Sequence, residues 1–386
     1  MRKMDVVCQQ LVLSKSLLTL CDSGYRMATR SLSSVRARNP LPWYRTRLDI
    51  KNGDRKPRFT PQDSKVSILR NPGVVNVTNQ TREKLCELVA QNVVYSKGPL
   101  VAVNKPQGLS VSGIPEEVSL SSLLPELQQH LGIRSATPLH VVKAAPKESS
   151  GLVLLSSCHT TSKHIEEFYA KCRKSQTPVV TFCAVTVGIP SPIEGDVNVA
   201  LTIEQIGEHK LVVPVTHPTK GSLERREVKN TETHYKVLDS ADSCALVQLQ
   251  PMSVFQSQLL VHMTWKLCKV LGDHTYSARV GKVLGEPIYV PVDIAVPQTQ
   301  VLEEKILRKM HFTQQQMHRM PLHLHLHQLL VPNHDEQKGS MLLTAPPPPF
   351  FLRTIELLGL TMKEPLLSSQ NLLALPKTES SSSSQN

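Results

Sequence analysis

Aromatic residues make up only 4% of this 386-residue chain, too few to build the rows of stacking rings on which many single-strand binders rely. Cysteine is present but never clustered: Cys8, Cys21, Cys86, Cys158, Cys172, Cys183, Cys244 and Cys268 include no C-x-x-C pair. That spacing excludes a zinc ribbon and a disulfide framework, and it implies a reducing compartment. No run of about 18 apolar residues occurs, so a membrane-spanning helix is not expected. Internal repeats are absent, and acidic residues are in deficit, 32 against 44 Lys and Arg. The resulting charge of +12 points to a polyanionic partner, nucleic acid first, recognised by charge and shape.

What is present divides into zones. Residues 1–47 carry Arg2, Lys3, Lys15, Arg26, Arg30, Arg36, Arg38, Arg45 and Arg47 against only Asp5 and Asp22, with many serines. This is the composition of a mitochondrial transit peptide, with a disordered basic tail that binds RNA as the competing reading. Residues 48–80 mix charge, proline and glycine without a period and read as linker. At Thr81 a helix N-cap precedes Leu85, Leu88, Val89 and Val93 at helical spacing. Strands are predicted at 100–104, 151–156, 179–187, 233–239 and 244–250, with helices marked by Ile165, Phe168 and Cys172 and by Leu259, Leu260, Met263 and Leu267. Strands dominate, which favours an α+β domain on a large mixed sheet over a doubly wound fold. Pro346 to Pro349 read as a rigid spacer, and residues 363–386, ending in serines, as a disordered tail.

The run Lys143-Ala144-Ala145-Pro146-Lys147-Glu148-Ser149-Ser150-Gly151-Leu152-Val153-Leu154-Leu155 resembles the active-site segment H-R-L-D-K-D-T-S-G-L-L-L-L of the RluA-type RNA pseudouridine synthases. Other segments follow in the family's order. Val101 to Leu109 is similar to V-V-N-K-P-x-G-L, Thr181 to Gly188 to T-Y-x-A-L-V-x-G, and Pro251 to His262 to P-x-T-G-R-x-H-Q-I-R-V-H. Leu271 to Tyr276 resembles L-G-D-x-x-Y, Leu324 to His327 an L-H-A segment, and Thr344 to Pro346 the A-P-L-P ending. The stretches K-E-S-S-G-L-V-L-L-S-S-C and L-G-D-H-x-Y-S-A-R-V-G resemble a divergent vertebrate mitochondrial branch.

The resemblance implies a pseudouridine synthase fold over 81–362, a large, mainly antiparallel sheet flanked by helices. It also implies isomerisation of uridine in RNA without a cofactor or metal, in the mitochondrial matrix, on organellar mRNA or rRNA. That chemistry needs a carboxylate at the sugar and a flipped-out base. The family's aspartate position, however, holds Pro146, which has neither carboxylate nor backbone donor. Glu148, at the family's second acidic position, is the candidate surrogate; its competing role is a surface carboxylate paired with Lys147 or Arg173. Phe182 replaces the family's base-stacking tyrosine, and Phe255 and Leu260 fall on its two arginines.

Lys105, Phe182, Gln258 and His262 are the implied substrate contacts, with a core role weighed for His262 and a solvated turn for Lys105. Gly151, Gly272, Asp273 and Tyr276 are the implied structural residues. His323, His325 and His327 alternate with Leu322, Leu324 and Leu326, either a strand with leucines inward or, less economically, a metal face. Lys163, Lys171, Arg173 and Lys174 form a basic helix end, facing RNA or water. Two functions remain open: a synthase with a divergent site, or an inactive paralogue that binds RNA in mitochondrial RNA or ribosome maturation. RNA-processing or ribosome-assembly proteins are the partners either would meet.

Overall fold

The computed structural model describes residues 67–71, 73–76, 79–113, 117–133, 137–333 and 339–362. The basic leader over 1–47, most of the segment read as linker and the Ser-rich tail lie outside the described residues.

Among the described residues, fourteen strands carry the fold: β1 (Val93–Lys97), β2 (Leu100–Lys105), β3 (His140–Ala144), β4 (Ser150–Ser156), β5 (Val180–Val187), β6 (Glu194–Ile206), β7 (His209–Val215), β8 (Val228–Ala241), β9 (Cys244–Pro251), β10 (Lys269–Val270), β11 (Val280–Val283), β12 (Glu286–Tyr289), β13 (Leu324–Pro332) and β14 (Ser340–Thr344). Twelve form one sheet, in the order β1-β2-β4-β13-β5-β9-β8-β6-β7, with β3 on β4, β10 on β5 and β14 on β13. Every pairing of these strands is antiparallel except β13 with β4. β11 and β12 make a separate hairpin.

Seven α-helices of the described residues accompany them: α1 (Arg82–Gln91), α2 (Leu120–His130), α3 (His159–Lys174), α4 (Lys220–Glu224), α5 (Gln258–Trp265), α6 (Glu304–Lys309) and α7 (Pro349–Leu358). The start of α1 follows from its cap, since the Thr81 hydroxyl accepts from the Lys84 amide at 3.4 Å. Its Leu85, Cys86 and Val89 pack with Leu120, Leu123 and Leu127 of α2 onto Val101, Val103, Val153 and Leu155 of the sheet. The alternate residues of those strands, Ala102, Leu152 and Leu154, join Ile165 and Tyr169 of α3 and Val261 and Met263 of α5 in the main core. No helix among the described residues is long and apolar enough to cross a membrane.

Three expectations need revision. β13 is buried along its whole length, so its leucines and its histidines are both interior. The imidazole side is covered by α7, whose Phe350 and Phe351 rings lie 5.3 and 5.5 Å from that of His323. Pro346 to Pro349 do not space anything out; Pro348 caps α7 and Pro349 opens it, where a missing N–H costs nothing. Within the segment read as linker, Ile68 is fully buried and a Cβ on Gly73 would lie 2.6 Å from Cβ of Pro348, so packed structure begins by residue 67.

Gly151 marks the tightest approach in the sheet. It pairs with Leu326 where β4 and β13 run parallel, its φ is +119°, and a Cβ there would overlap the Leu326 carbonyl oxygen. Gly151→Ala is therefore expected to destabilise the fold by about 3 kcal/mol or more, read as a lower urea midpoint at unchanged slope.

Candidate active site and its divergence

The family's catalytic position lies in the turn between β3 and β4. Ala145 is buried and tied to the sheet by its amide on the Leu152 carbonyl at 3.1 Å. Pro146, Lys147 and Glu148 are exposed, and the turn closes where the Ser149 amide meets the Pro146 carbonyl at 3.3 Å. Lys105 lies fully buried beneath this turn. Its ammonium donates to the carbonyls of Ser149 at 2.8 Å, Leu109 at 3.0 Å, Pro106 at 3.2 Å and Lys147 at 3.3 Å. Lys105 is thus a strut under the turn, not a surface contact for phosphate.

Burial pushes the Lys105 ammonium down to about 7, and the nearby Glu148 carboxylate opposes that fall. A neutral amine offers two hydrogens to the four oxygens and an ammonium three, so the hydrogen-bonding geometry favours the charged form.

Phe182 sits in the middle of the sheet, opposite Leu326 on one side and Leu249 on the other, and is buried in the main core. Phe255 and Leu260, on the family's arginine positions, are half-buried and pack against the same core. The ionic groups that would face a catalytic carboxylate are replaced by apolar packing. Gln258 and His262 of α5 also point inward. The Gln258 amide donates to the Glu232 carbonyl and the Thr233 hydroxyl, both at 3.0 Å, and accepts from Ser253 at 3.2 Å. His262 is buried with Nε2 at 2.9 Å from the Thr231 hydroxyl, which itself donates to the Val199 carbonyl at 2.6 Å, so Nε2 carries the hydrogen. Both residues clamp α5 to β8 through buried hydrogen bonds.

The turn after β10 is built on Asp273, whose Oδ1 accepts the amides of Thr275 and Tyr276 at 2.9 Å each. Gly272 has φ +84°, and a Cβ there would overlap the Pro321 carbonyl oxygen. The Tyr276 hydroxyl accepts from the Val212 amide at 3.4 Å. Burial pushes the Asp273 carboxyl up to about 6, against the pull of those amides and of Arg279. Arg279, which sequence reasoning did not single out, is fully buried over the Tyr276 ring at 4.7 Å from its centroid.

The three histidines of β13 have internal partners. His323 Nδ1 donates to the Pro321 carbonyl at 2.8 Å, and its Nε2 meets the Thr354 hydroxyl at 2.8 Å. His325 Nε2 donates to the Ala345 carbonyl at 3.0 Å, and its Nδ1 accepts from Ser150 at 2.9 Å, fixing the residue just after the turn. His327 Nδ1 donates to the same carbonyl at 2.7 Å. Among the described residues no group of three metal-ligating side chains converges.

A cavity of about 530 Å³ lies beside these segments, its wall including Arg173 and Gln176 from the end of α3, Asn198 of β6, Asn230 and Glu232 of β8, and Trp265 of α5. Of these only Arg173 stands out in the sequence, as part of the basic helix end. The others come from elements scattered along the chain and carry no local signature.

Burial depresses His262 and His323 to about 4 and His325 to about 3. Their penalty is absent above an unfolded value near 6.5 and grows as pH falls below it, because the unfolded chain then binds protons the folded chain refuses. Asp273 acts in the opposite sense, its raised value favouring the fold as pH falls from 6 toward the carboxylate range, but it is one group against three. The urea midpoint is expected to drop between pH 7 and pH 4.5, and His262→Gln should reduce that slope. Replacing Lys105 by Ala should cost about 3 kcal/mol or more, since it strands buried carbonyls; the same titration measures it.

Residues 99–265 match the family model described as RNA pseudouridylate synthase. Human mitochondrial mRNA pseudouridine synthase RPUSD3 is 49% identical over 285 residues, 74% of this chain and 81% of the human one. Bovine mitochondrial pseudouridylate synthase RPUSD4 is 31% identical, covering 72% of each chain. The solved structure of human RNA pseudouridylate synthase domain containing 4 superposes with a TM-score of 0.58 at 27% identity, over 73% of this chain and 98% of that one.

Proposed function

The chain belongs to the RNA pseudouridylate synthase family, and from that membership we propose that it acts in the mitochondrial matrix on messenger RNA, isomerising uridine with Glu148 as the carboxylate. The carrying observation is the turn at 146–149. It presents Glu148 exposed, makes no hydrogen bond through that side chain among the described residues, and is held from below by the Lys105 ammonium. Two residues of extended chain span about 6.6 Å, and the 146–149 turn shortens that displacement by folding the backbone back on itself.

In the reaction the carboxylate either attacks the anomeric carbon or removes the proton on its neighbour. The glycosidic C–N bond breaks with its electron pair leaving on the uracil and the ring turns; carbon 5 then bonds to the anomeric carbon, displacing the carboxylate or, on the second route, with the abstracted proton returned to the neighbouring carbon, while carbon 5 loses its proton and the uracil nitrogen gains one. No external cofactor enters this balance. The Lys105 amine holds the backbone of the turn from below through the carbonyls of Lys147 and Ser149.

A second reading has its own observation. Pro146 together with the apolar packing of Phe255 and Leu260 removes the nucleophile and both of its cationic neighbours in one step. Under that reading the chain clasps the same transcripts in RNA or ribosome maturation and leaves their uridines unchanged.

Glu148→Gln with pseudouridine mapping of mitochondrial RNA separates the two. Under the first reading modification falls by about a thousandfold, to background, the scale of losing a positioned catalytic carboxylate. Unchanged modification removes Glu148 from the chemistry. Salt-sensitive RNA binding by the purified wild-type chain with no isomerised product establishes the second reading instead.

A further inference from the structure

We infer that Asn104, Ser150 and His325 are positioning residues for the isomerisation, acting through a closed ring of hydrogen bonds that passes behind the 146–149 turn and fixes where Glu148 stands. The inference rests on the reading of Glu148 as the carboxylate, and its test is chosen so that the two fail differently.

The ring closes bond by bond. Lys105 Nζ donates to the Ser149 carbonyl at 2.8 Å, and Lys105 follows Asn104 at the end of β2. The Asn104 amide donates to the Pro346 carbonyl at 2.9 Å, across 242 residues of sequence. One residue back from Pro346, the Ala345 carbonyl accepts from His325 Nε2 at 3.0 Å. That leaves His325 Nδ1 as an acceptor, and the Ser150 hydroxyl donates to it at 2.9 Å. Ser150 is joined to Ser149 by the chain itself, which returns the path to its start.

This frame is stiff. Lys105, Ser150 and His325 are buried, so water does not compete for their bonds. The Ala345 carbonyl accepts a second hydrogen bond from His327 Nδ1 at 2.7 Å, and the Ala345 amide donates to the His327 carbonyl at 2.9 Å. Ser150 and His325 are also register partners where β4 and β13 run parallel. The members come from four of the segments that carry the family resemblance, 101–109, 143–155, 324–327 and 344–346. Those segments are far apart in the chain, and their polar side chains meet in this ring.

The exposed residues of the turn have no comparable anchor. Glu148 makes no hydrogen bond through its side chain among the described residues, so the place of its carboxylate follows from the backbone on either side. Lys105 holds that backbone at the Lys147 and Ser149 carbonyls, and His325 holds it at Ser150. Asn104 stands at the far post of the same frame, its side chain bonded to Pro346 and not to the turn. Displacing a reacting group by about 1 Å costs on the order of a hundredfold in rate, and one opened bond in the frame should cost about tenfold.

The test uses the full chain and an in vitro transcript of a mitochondrial messenger RNA tritiated at uridine carbon 5, whose released tritium counts turnovers. Ser150→Ala and Asn104→Ala are each expected to lower kcat about tenfold at unchanged KM. The double variant should also lose about tenfold, because a ring opened once is not opened again. Amide exchange at 147–150 should quicken in Asn104→Ala as well as in Ser150→Ala. Asn104 is half-buried, which keeps the measurement available if Ser150→Ala does not fold. Thr81→Ala, which removes the α1 cap, serves as control: a lower urea midpoint with kcat unchanged. Ring variants at full kcat beside an inactive Glu148→Gln overturn the ring and leave Glu148 in place. Tenfold losses in the ring variants beside a fully active Glu148→Gln support the ring and remove Glu148. Losses that multiply to about a hundredfold in the double variant overturn the ring, and a parent chain that releases no tritium overturns both.

Discussion

Lys105 places one ammonium where four backbone carbonyls converge, and that contact joins the end of β2 to the turn from which the family's chemistry is delivered. Burying a cation is costly unless dipoles replace its water, and here the 106–109 and 147–149 backbone segments do so from two sides. The turn is consequently shaped from below, by the strut, and from behind, by His325 on Ser150 and by the collision-limited pairing of Gly151 with Leu326. Its upper surface is left to whatever side chains occupy 146–148. This separation of scaffold from chemistry is how a proline can stand at the catalytic position without disturbing the fold around it.

The replacements in the reaction centre form a consistent set. A buried arginine without its carboxylate would be an unpaired charge, and the positions that would carry one bear Phe255 and Leu260, packed on the core. Phe182 keeps an apolar ring and loses the hydroxyl. The end of α3 carries Lys171, Arg173 and Lys174.

Much of the central sheet was legible in the sequence. The apolar runs at 100–104, 151–156 and 244–250 correspond to β2, β4 and β9 within a residue or two, since strands buried on both faces write themselves as unbroken apolar stretches. β6 and β7 were missed because they lie at the exposed end of the sheet, where Glu194, Asp196, Asn198 and Glu204 dilute the pattern. The Leu and His alternation of β13 carried the strand but not its burial; imidazole is a rare core residue, and only α7, far along the chain, shows what covers it. Lys105, Gln258 and His262 look like ligand contacts in a motif because motif spacing encodes proximity to the site, whereas which way a side chain points is decided by partners such as Thr231, Thr233 and the 147–149 carbonyls. The cavity, shared among six separate segments, left no trace in any one of them.

The position of β13 has a consequence for biogenesis. Residues 324–332 fill the gap between β4 and β5, yet they are among the last of the described residues to be synthesised. Until they arrive, the two halves of the sheet face each other across an unfilled slot, each with a bare hydrogen-bonding edge open to chaperones or to another unfinished chain. Zipping the sheet shut is therefore a terminal, whole-chain event, and a nonsense change upstream of residue 324 leaves a shortened chain whose two sheet halves stay unsealed.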